Sequence, residues 1–191
     1  RRSGAAHDAS AQGAASGCRR GEAGRLMRLF LAVFPPAEVQ RAAFGVIEAL
    51  RRPGDGVSWV KPENLHYTLR FLGELGEDGA RRVAEAATEA SAKSRAFAAA
   101  LGGLGAFPNP RRARVIWIGM SEGGEGLVAL AHDLDRALAK RGFGAPDKPF
   151  STHLTLGRVR EPHRDWTAAL AEPVPADPPA RFTVDRICVV D

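Results

Sequence analysis

The sequence predicts an α+β fold of two similar lobes, and two observations carry that prediction. Strand-like and helix-like segments follow one another through short connections. A stretch in the first half, "NLHYTLRFLGE" at 64–74, has a near-echo in the second, "STHLTLGRVRE" at 151–161. The chain has 191 residues and is 45% hydrophobic, enough for one ordinary domain or two small lobes folding as a unit.

The first lobe opens on "RLFLAVF" from Arg28, a short apolar run stopped by Pro35 and Pro36, which reads as a strand buried on both faces. A helix follows, because Val39, Ala43, Val46, Ile47 and Leu50 recur at helical spacing before Pro53 and Gly54 end the element. "GVSWV" reads as a short strand. In the motif strand Leu65–Leu72, alternation sets His66, Thr68 and Arg70 on one face and Tyr67, Leu69 and Phe71 on the other. Asp78 is the expected cap of an alanine-rich helix reaching Ser94.

The second lobe repeats this grammar. "AFAAAL" reads as a strand, Gly102–Arg114 as a loop rich in Gly, Pro and Arg, and "VIWIGM" as a strand. Leu127, Leu130, Leu134 and Leu138 form the apolar stripe of a helix stopped by Gly142 and Gly144. The echo strand "FSTHLTLGRV", a proline-rich loop and one last strand, "RFTVDRICVV", complete the chain.

The formal charge is +5, but five arginines against Asp8 and Glu22 place three of those charges in residues 1–26. These residues lack a hydrophobic signal region and are expected to be a disordered extension, with the bilobal domain over 27–191. The remaining excess is too small for broad nucleic-acid binding and fits a local anionic pocket. Two cysteines, Cys18 and Cys188, cannot build a disulfide framework or a cysteine metal cluster, and Cys188 is expected to be a small buried hydrophobe. No apolar run approaches the roughly 20 residues of a spanning helix. A cytoplasmic monomer without membrane contact is expected.

A strand with His at one position and Thr two further on presents both side chains to the same side, roughly 7 Å apart. Histidine moves protons near neutral pH, and a threonine hydroxyl donates to a phosphoryl oxygen. Hydrolysis of a phosphate ester needs one proton removed from water and one delivered to the leaving oxygen, so two such pairs suffice without metal or cofactor. Two of the five histidines followed by x-Thr-Leu should arise by chance in about one of several thousand chains. His7, His132 and His163 lack the pattern and are expected to be solvated.

With these residues in view, the sequence resembles the 2H phosphoesterase superfamily, and within it the RNA 2′,3′-cyclic phosphodiesterases, or 2′-5′ RNA ligase-like proteins. The likeness covers nearly all of 27–191, including "RLFLAVFPP", "NLHYTLRFLGE", "RVIWIGM" and "KPFSTHLTLGRV". It implies two pseudo-symmetric lobes, each an antiparallel sheet with outer helices, and a cleft between them where the motif strands lie side by side. It also implies RNA 2′,3′-cyclic phosphate ends or small cyclic nucleotides as partners, opened to a 2′-phosphate. By the same resemblance His66 is the proton donor, His153 the proton acceptor, and Thr68 and Thr155 hold non-bridging oxygens. Phe71 and Arg158, each five places beyond its histidine, would clamp the base. Strict alternation places them on the wrong face for that role, unless a bulge intervenes. Arg70 is an alternative phosphate contact.

Two other readings compete. "GMSEG" at 119–123 has the G-x-S-x-G spacing of a nucleophile elbow, which would make Ser121 the nucleophile of a serine esterase. The chain could instead be a 2H module that binds a nucleotide or RNA end without turnover. "NPRRAR" at 109–114 reads as a basic loop, either solvated or touching an RNA backbone.

Overall fold

The computed structural model describes residues 26–160, 164–172 and 180–191. Its elements run β1 (Met27–Val33), α1 (Ala37–Leu50), β2 (Val57–Trp59), β3 (Tyr67–Leu75), α2 (Glu77–Lys93), β4 (Phe97–Phe107), β5 (Val115–Glu122), α3 (Gly124–Ala139), β6 (Leu154–Val159), α4 (Thr167–Leu170), β7 (Arg181–Val184) and β8 (Cys188–Val190). The expected N-terminal extension, apart from Leu26, lies outside the described residues, as does His163. Among the described residues no helix is long and apolar enough to cross a membrane.

The strands form one sheet of eight in the order β7-β4-β5-β6-β3-β1-β8, with β2 on β6. All pairings are antiparallel. A pseudo-two-fold runs between β3 and β6. On one side β3 pairs with β1 and β1 with β8; on the other β6 pairs with β5 and β5 with β4. β3 and β6 join through one ladder pair, Tyr67 opposite Leu154, beyond which β2 of the first half pairs with the same edge of β6.

The helices cross between the halves. α1, from the first half, packs on β6 of the second, while α3, from the second, packs on both β3 and β5. α2 lies against α3 and reaches β1, β3 and β8. The apolar stripes anticipated from spacing face inward: Val39, Ala43, Val46, Ile47 and Leu50 of α1, and Leu127, Leu130, Leu134 and Leu138 of α3, are all buried. Gly142, with φ of 82°, adopts the left-handed turn that stops the helical run, and the Phe143 N–H closes on the Leu138 carbonyl at 3.2 Å.

Four local expectations are corrected. The helix after β3 is preceded by Gly76, not capped by Asp78, whose carboxylate instead pairs with Arg81 and Arg82. The glycine-rich tract expected as a loop from Gly102 is strand as far as Phe107, where Gly105 and Gly102 admit side chains of the neighbouring strand. A Cβ on Gly105 would fall 2.3 Å from the Trp117 ring, and one on Gly102 would fall 2.5 Å from the Ser121 Cβ. Cys188 is only half-buried on edge strand β8. Finally, "RFTVDRICVV" is two strands on opposite edges of the sheet, β7 on β4 and β8 on β1. Seven strands laid flat would separate those edges by about 29 Å. The four residue steps from Val184 to Cys188 span at most about 14 Å, so the sheet must curl strongly to bring its edges together.

Candidate active site

The lone Tyr67–Leu154 pair sets the geometry of the motif residues. Extended one residue each way, its antiparallel register places His66 beside Thr155 and Thr68 beside His153. Side chains so placed have Cβ atoms about 5 Å apart. In this register each histidine would neighbour the threonine of the other lobe, with the four side chains on one face. Tyr67 and Leu154 point to the opposite face and are fully buried. The Tyr67 hydroxyl donates to the Gly119 carbonyl at 3.2 Å, and burial raises its pKa so that the phenol stays protonated.

Both rings are held in the same way. Nδ1 of His66 lies 2.7 Å from the Asn64 carbonyl, and Nδ1 of His153 lies 2.8 Å from the Ser151 carbonyl. A carbonyl oxygen only accepts, so each Nδ1 carries a proton in both the neutral and the charged ring. Nε2 of each ring is therefore the atom left to take up or give a proton. The 3-10 turn Pro62–Asn64 presents the Asn64 carbonyl, and Gln40 of α1 donates to the adjoining Leu65 carbonyl at 3.0 Å. Among the described residues neither Thr68 nor Thr155 spends its hydroxyl on a protein hydrogen bond.

Aromatic rings wall both histidines. His66 lies 5.1 Å from Phe30 and 5.1 Å from Phe34; His153 meets Phe107 edge-on at 5.1 Å, and Phe107 in turn contacts Trp117 at 5.3 Å. Sequence reasoning missed these walls, although alternation along β1 does put Phe30 and Phe34 on one face. The contacts yield a prediction. The Cβ of Gly105→Ala would collide with Trp117 and push it into Phe107, displacing His153. About a tenfold to hundredfold fall in turnover is expected with the chain still folded, measured as kcat/KM alongside a circular-dichroism melt.

The register also settles the faces of Phe71 and Arg158. In β3, Ala32 opposes Thr68 but Leu31 opposes Arg70, leaving Leu69 as an extra residue. In β6, Trp117 opposes Thr155 but Ile116 opposes Gly157, leaving Leu156 extra. The bulges fall three places after each histidine and reset the alternation. Phe71, 67% exposed, therefore turns to the histidine face, with its ring 5.7 Å from the same Phe30 that touches His66. Arg158 is exposed, and its charge is felt by His66. Arg70 is turned away. Its guanidinium bonds Asp135 of α3 at 3.1 Å and the Gly144 carbonyl at 2.6 Å, with its side chain 10% exposed, so it is not brought to the motif face as a phosphate contact.

The pKa of His66 is held below the ordinary histidine value. Burial is the main cause, the Asn64 carbonyl opposes it, and the Arg158 charge adds to it. Since the unfolded chain binds this proton more readily, His66 contributes stability present above its unfolded pKa and lost as pH falls through the folded one. A bound phosphate, being anionic, acts in the opposite direction and raises it. The His66 resonance is expected to titrate below the normal range in the free protein and to move upward when inorganic phosphate is added. An NMR titration of the ring protons checks both directions.

Ser121 lies within β5, not on a strand-to-helix elbow, and its hydroxyl donates to the Leu101 carbonyl of β4 at 3.0 Å. The left-handed residue before α3 is Gly123, with φ of 83°. His132 is exposed on α3. Among the described residues no group of three or more His, Cys, Asp or Glu side chains could hold a metal ion.

Two His-x-Thr strands, paired across a pseudo-two-fold in a curled antiparallel sheet, define a bilobal 2H phosphoesterase. The family model for LigT-like phosphoesterases matches residues 33–117 and 118–191, two successive segments that each contain one motif. The chain belongs to the LigT-like phosphoesterase family. It is 43% identical over 134 residues to an RNA 2′,3′-cyclic phosphodiesterase of Archaeoglobus fulgidus, covering 70% of this chain and 73% of the relative. It is 35% identical over 160 residues to the protein of the same name in Thermotoga maritima, covering 84% and 83%. Among solved structures, Escherichia coli LigT in complex with 3′-AMP superposes with a TM-score of 0.68 at 26% identity, covering 86% of this chain and 87% of that one. A Thermus thermophilus protein superposes with a TM-score of 0.68 at 31% identity, covering 86% and 88%.

Proposed function

We propose that the protein hydrolyses the 2′,3′-cyclic phosphate of RNA ends or nucleotides to a 2′-phosphate, using His66 and His153 as a proton-transferring pair without a metal ion. The observation that supports this reading is that Tyr67 opposes Leu154, so the two motif strands run side by side, and that Nδ1 of each histidine is held by a backbone carbonyl, leaving Nε2 for proton transfer. The names of the relatives support the substrate.

The cyclic phosphate sits between the two Nε2 atoms. Neutral His153 takes a proton from water, whose oxygen bonds phosphorus as the P–O3′ bond breaks. Charged His66 gives its Nε2 proton to O3′. Thr68 and Thr155 donate to the non-bridging oxygens, where negative charge accumulates, and Arg158 offsets that charge. One water is consumed, and the pair ends with its proton on the other histidine, so solvent exchange must reset it. The low pKa of His66 in the free protein favours its neutral form. The acid role therefore depends on the bound phosphate raising it. Phe71 and Arg158, brought to the histidine face by matched bulges, hold the base between a ring and a guanidinium.

The test is incubation of 2′,3′-cyclic AMP with the protein in EDTA, followed by separation of 2′-AMP from 3′-AMP. Release of 2′-AMP, unchanged in Ser121→Ala, is expected. Tight nucleotide binding with no product would make the chain a binding module, and loss of turnover in Ser121→Ala alone would restore the serine esterase reading.

A further inference from the structure

Several cations on or beside α2 and α3 are paired: Arg81 with Asp78 and Glu85, Arg136 with Asp133, and Lys93, Lys140 and Arg141 all with Glu89. A group beside the site is not. Arg111, Arg112, Arg114 and Arg158 are exposed and, among the described residues, form no salt bridge. Arg160, also exposed, donates Nε to the Ser58 hydroxyl at 2.6 Å.

These arginines are contiguous with the histidines. Ser58 is the ladder partner of Arg158, so the bond from Arg160 to Ser58 puts Arg158 and Arg160 on one face, which is that of His66 and His153. The segment bearing Arg111, Arg112 and Arg114 starts at Phe107, against the His153 ring, and ends at Val115, opposite Arg158. It is a built loop. The Asn109 side chain accepts from the Arg112 N–H at 3.1 Å, Arg114 N–H bonds the Phe107 carbonyl at 2.7 Å, and Trp166 N–H bonds the Pro110 carbonyl at 3.1 Å. Among the described residues, Asp165 feels the charge of Arg111, and its carboxylate accepts from the Thr167 N–H at 2.8 Å.

We propose that Arg158, Arg160, Arg111 and Arg112 form a track for the backbone phosphates of a single RNA strand, running 5′ from the cyclic phosphate held by the histidines. The inference rests on the phosphodiesterase reading and narrows its substrate to an oligoribonucleotide end. Guanidiniums without a carboxylate partner release counterions from each phosphate they meet, which gives affinity that weakens with salt.

The experiment compares 2′,3′-cyclic AMP with a ten-nucleotide RNA ending in a 2′,3′-cyclic phosphate, across NaCl concentrations. The proteins are wild type and the triple variant Arg111→Gln, Arg112→Gln, Arg160→Gln, with Arg158 left intact. The track predicts about a tenfold rise in KM for the RNA at low salt, a salt slope shallower by about 0.7 for each phosphate no longer neutralised, and an unchanged rate on 2′,3′-cyclic AMP. An unchanged KM and slope for the RNA would overturn it, as would a mononucleotide rate that falls in step. If wild type turned over neither substrate, the phosphodiesterase reading would fail. Anisotropy of the labelled RNA would still judge the track, through salt-dependent binding that the triple variant either loses or keeps.

Discussion

Replacing either His66 or His153 with alanine is expected to lower kcat/KM for 2′,3′-cyclic nucleotides by about 10²–10⁴-fold. Replacing both should cost little more than the worse single change, because removal of either proton transfer already stalls the reaction. Both rings are partly exposed, and each gives up one local bond, to the Asn64 or the Ser151 carbonyl, together with its packing on the aromatic wall. Folding stability should fall by about 0.5–3 kcal/mol, which leaves the chain folded. Steady-state kinetics on both single variants and the double, with a thermal melt on each, separate a lost catalyst from a lost fold. Wild-type turnover in either single variant would end the paired mechanism.

The second large effect belongs to a residue with no chemistry of its own. Leu154→Ala should destabilise the protein by about 2–5 kcal/mol, because Leu154 is fully buried and truncation leaves a cavity. It should also impair turnover well below the melting temperature. Leu154 pairs with Tyr67 at the joint between β3 and β6, and that pair sets the register of all four motif side chains. Thr155→Val, on the histidine face of the same strand, provides the contrast: reduced turnover with little change in melting. If Leu154→Ala kept full turnover when folded, the joint would not be what aligns the histidines.

The lobed architecture and the doubled motif were legible because both rest on strong local signals. His66 with Thr68, and His153 with Thr155, follow from period-two alternation over three residues, too short a stretch for an irregularity to intervene. The same rule failed two residues later. A single-residue bulge carries no fixed composition, and nothing in "TLRF" or "TLGR" marks Leu69 or Leu156 as the extra residue. Hence the sequence placed Phe71 and Arg158 on the wrong face and Arg70 on the right one. The tract from Gly102 misled for the opposite reason. Glycine reads as a chain breaker, whereas here it makes room for Trp117 and Ser121 on the neighbouring strand. The splitting of "RFTVDRICVV" depends on the curl of the whole sheet, which no local pattern encodes.

The crossing of α1 onto β6 and of α3 onto β3 has a consequence for symmetry. A half-length chain standing alone would lose the packing of α1 on β6, which two copies could recover only by exchanging helices, each lending one histidine. Such a pair would be strictly symmetric, and identical rings cannot be biased in advance toward giving and taking a proton. Joining both halves in one chain lifts that restriction. One half can then carry a ring at Phe71 where the other carries a charge at Arg158, and that charge falls on His66. The scaffold stays two-fold while its chemistry acquires a direction.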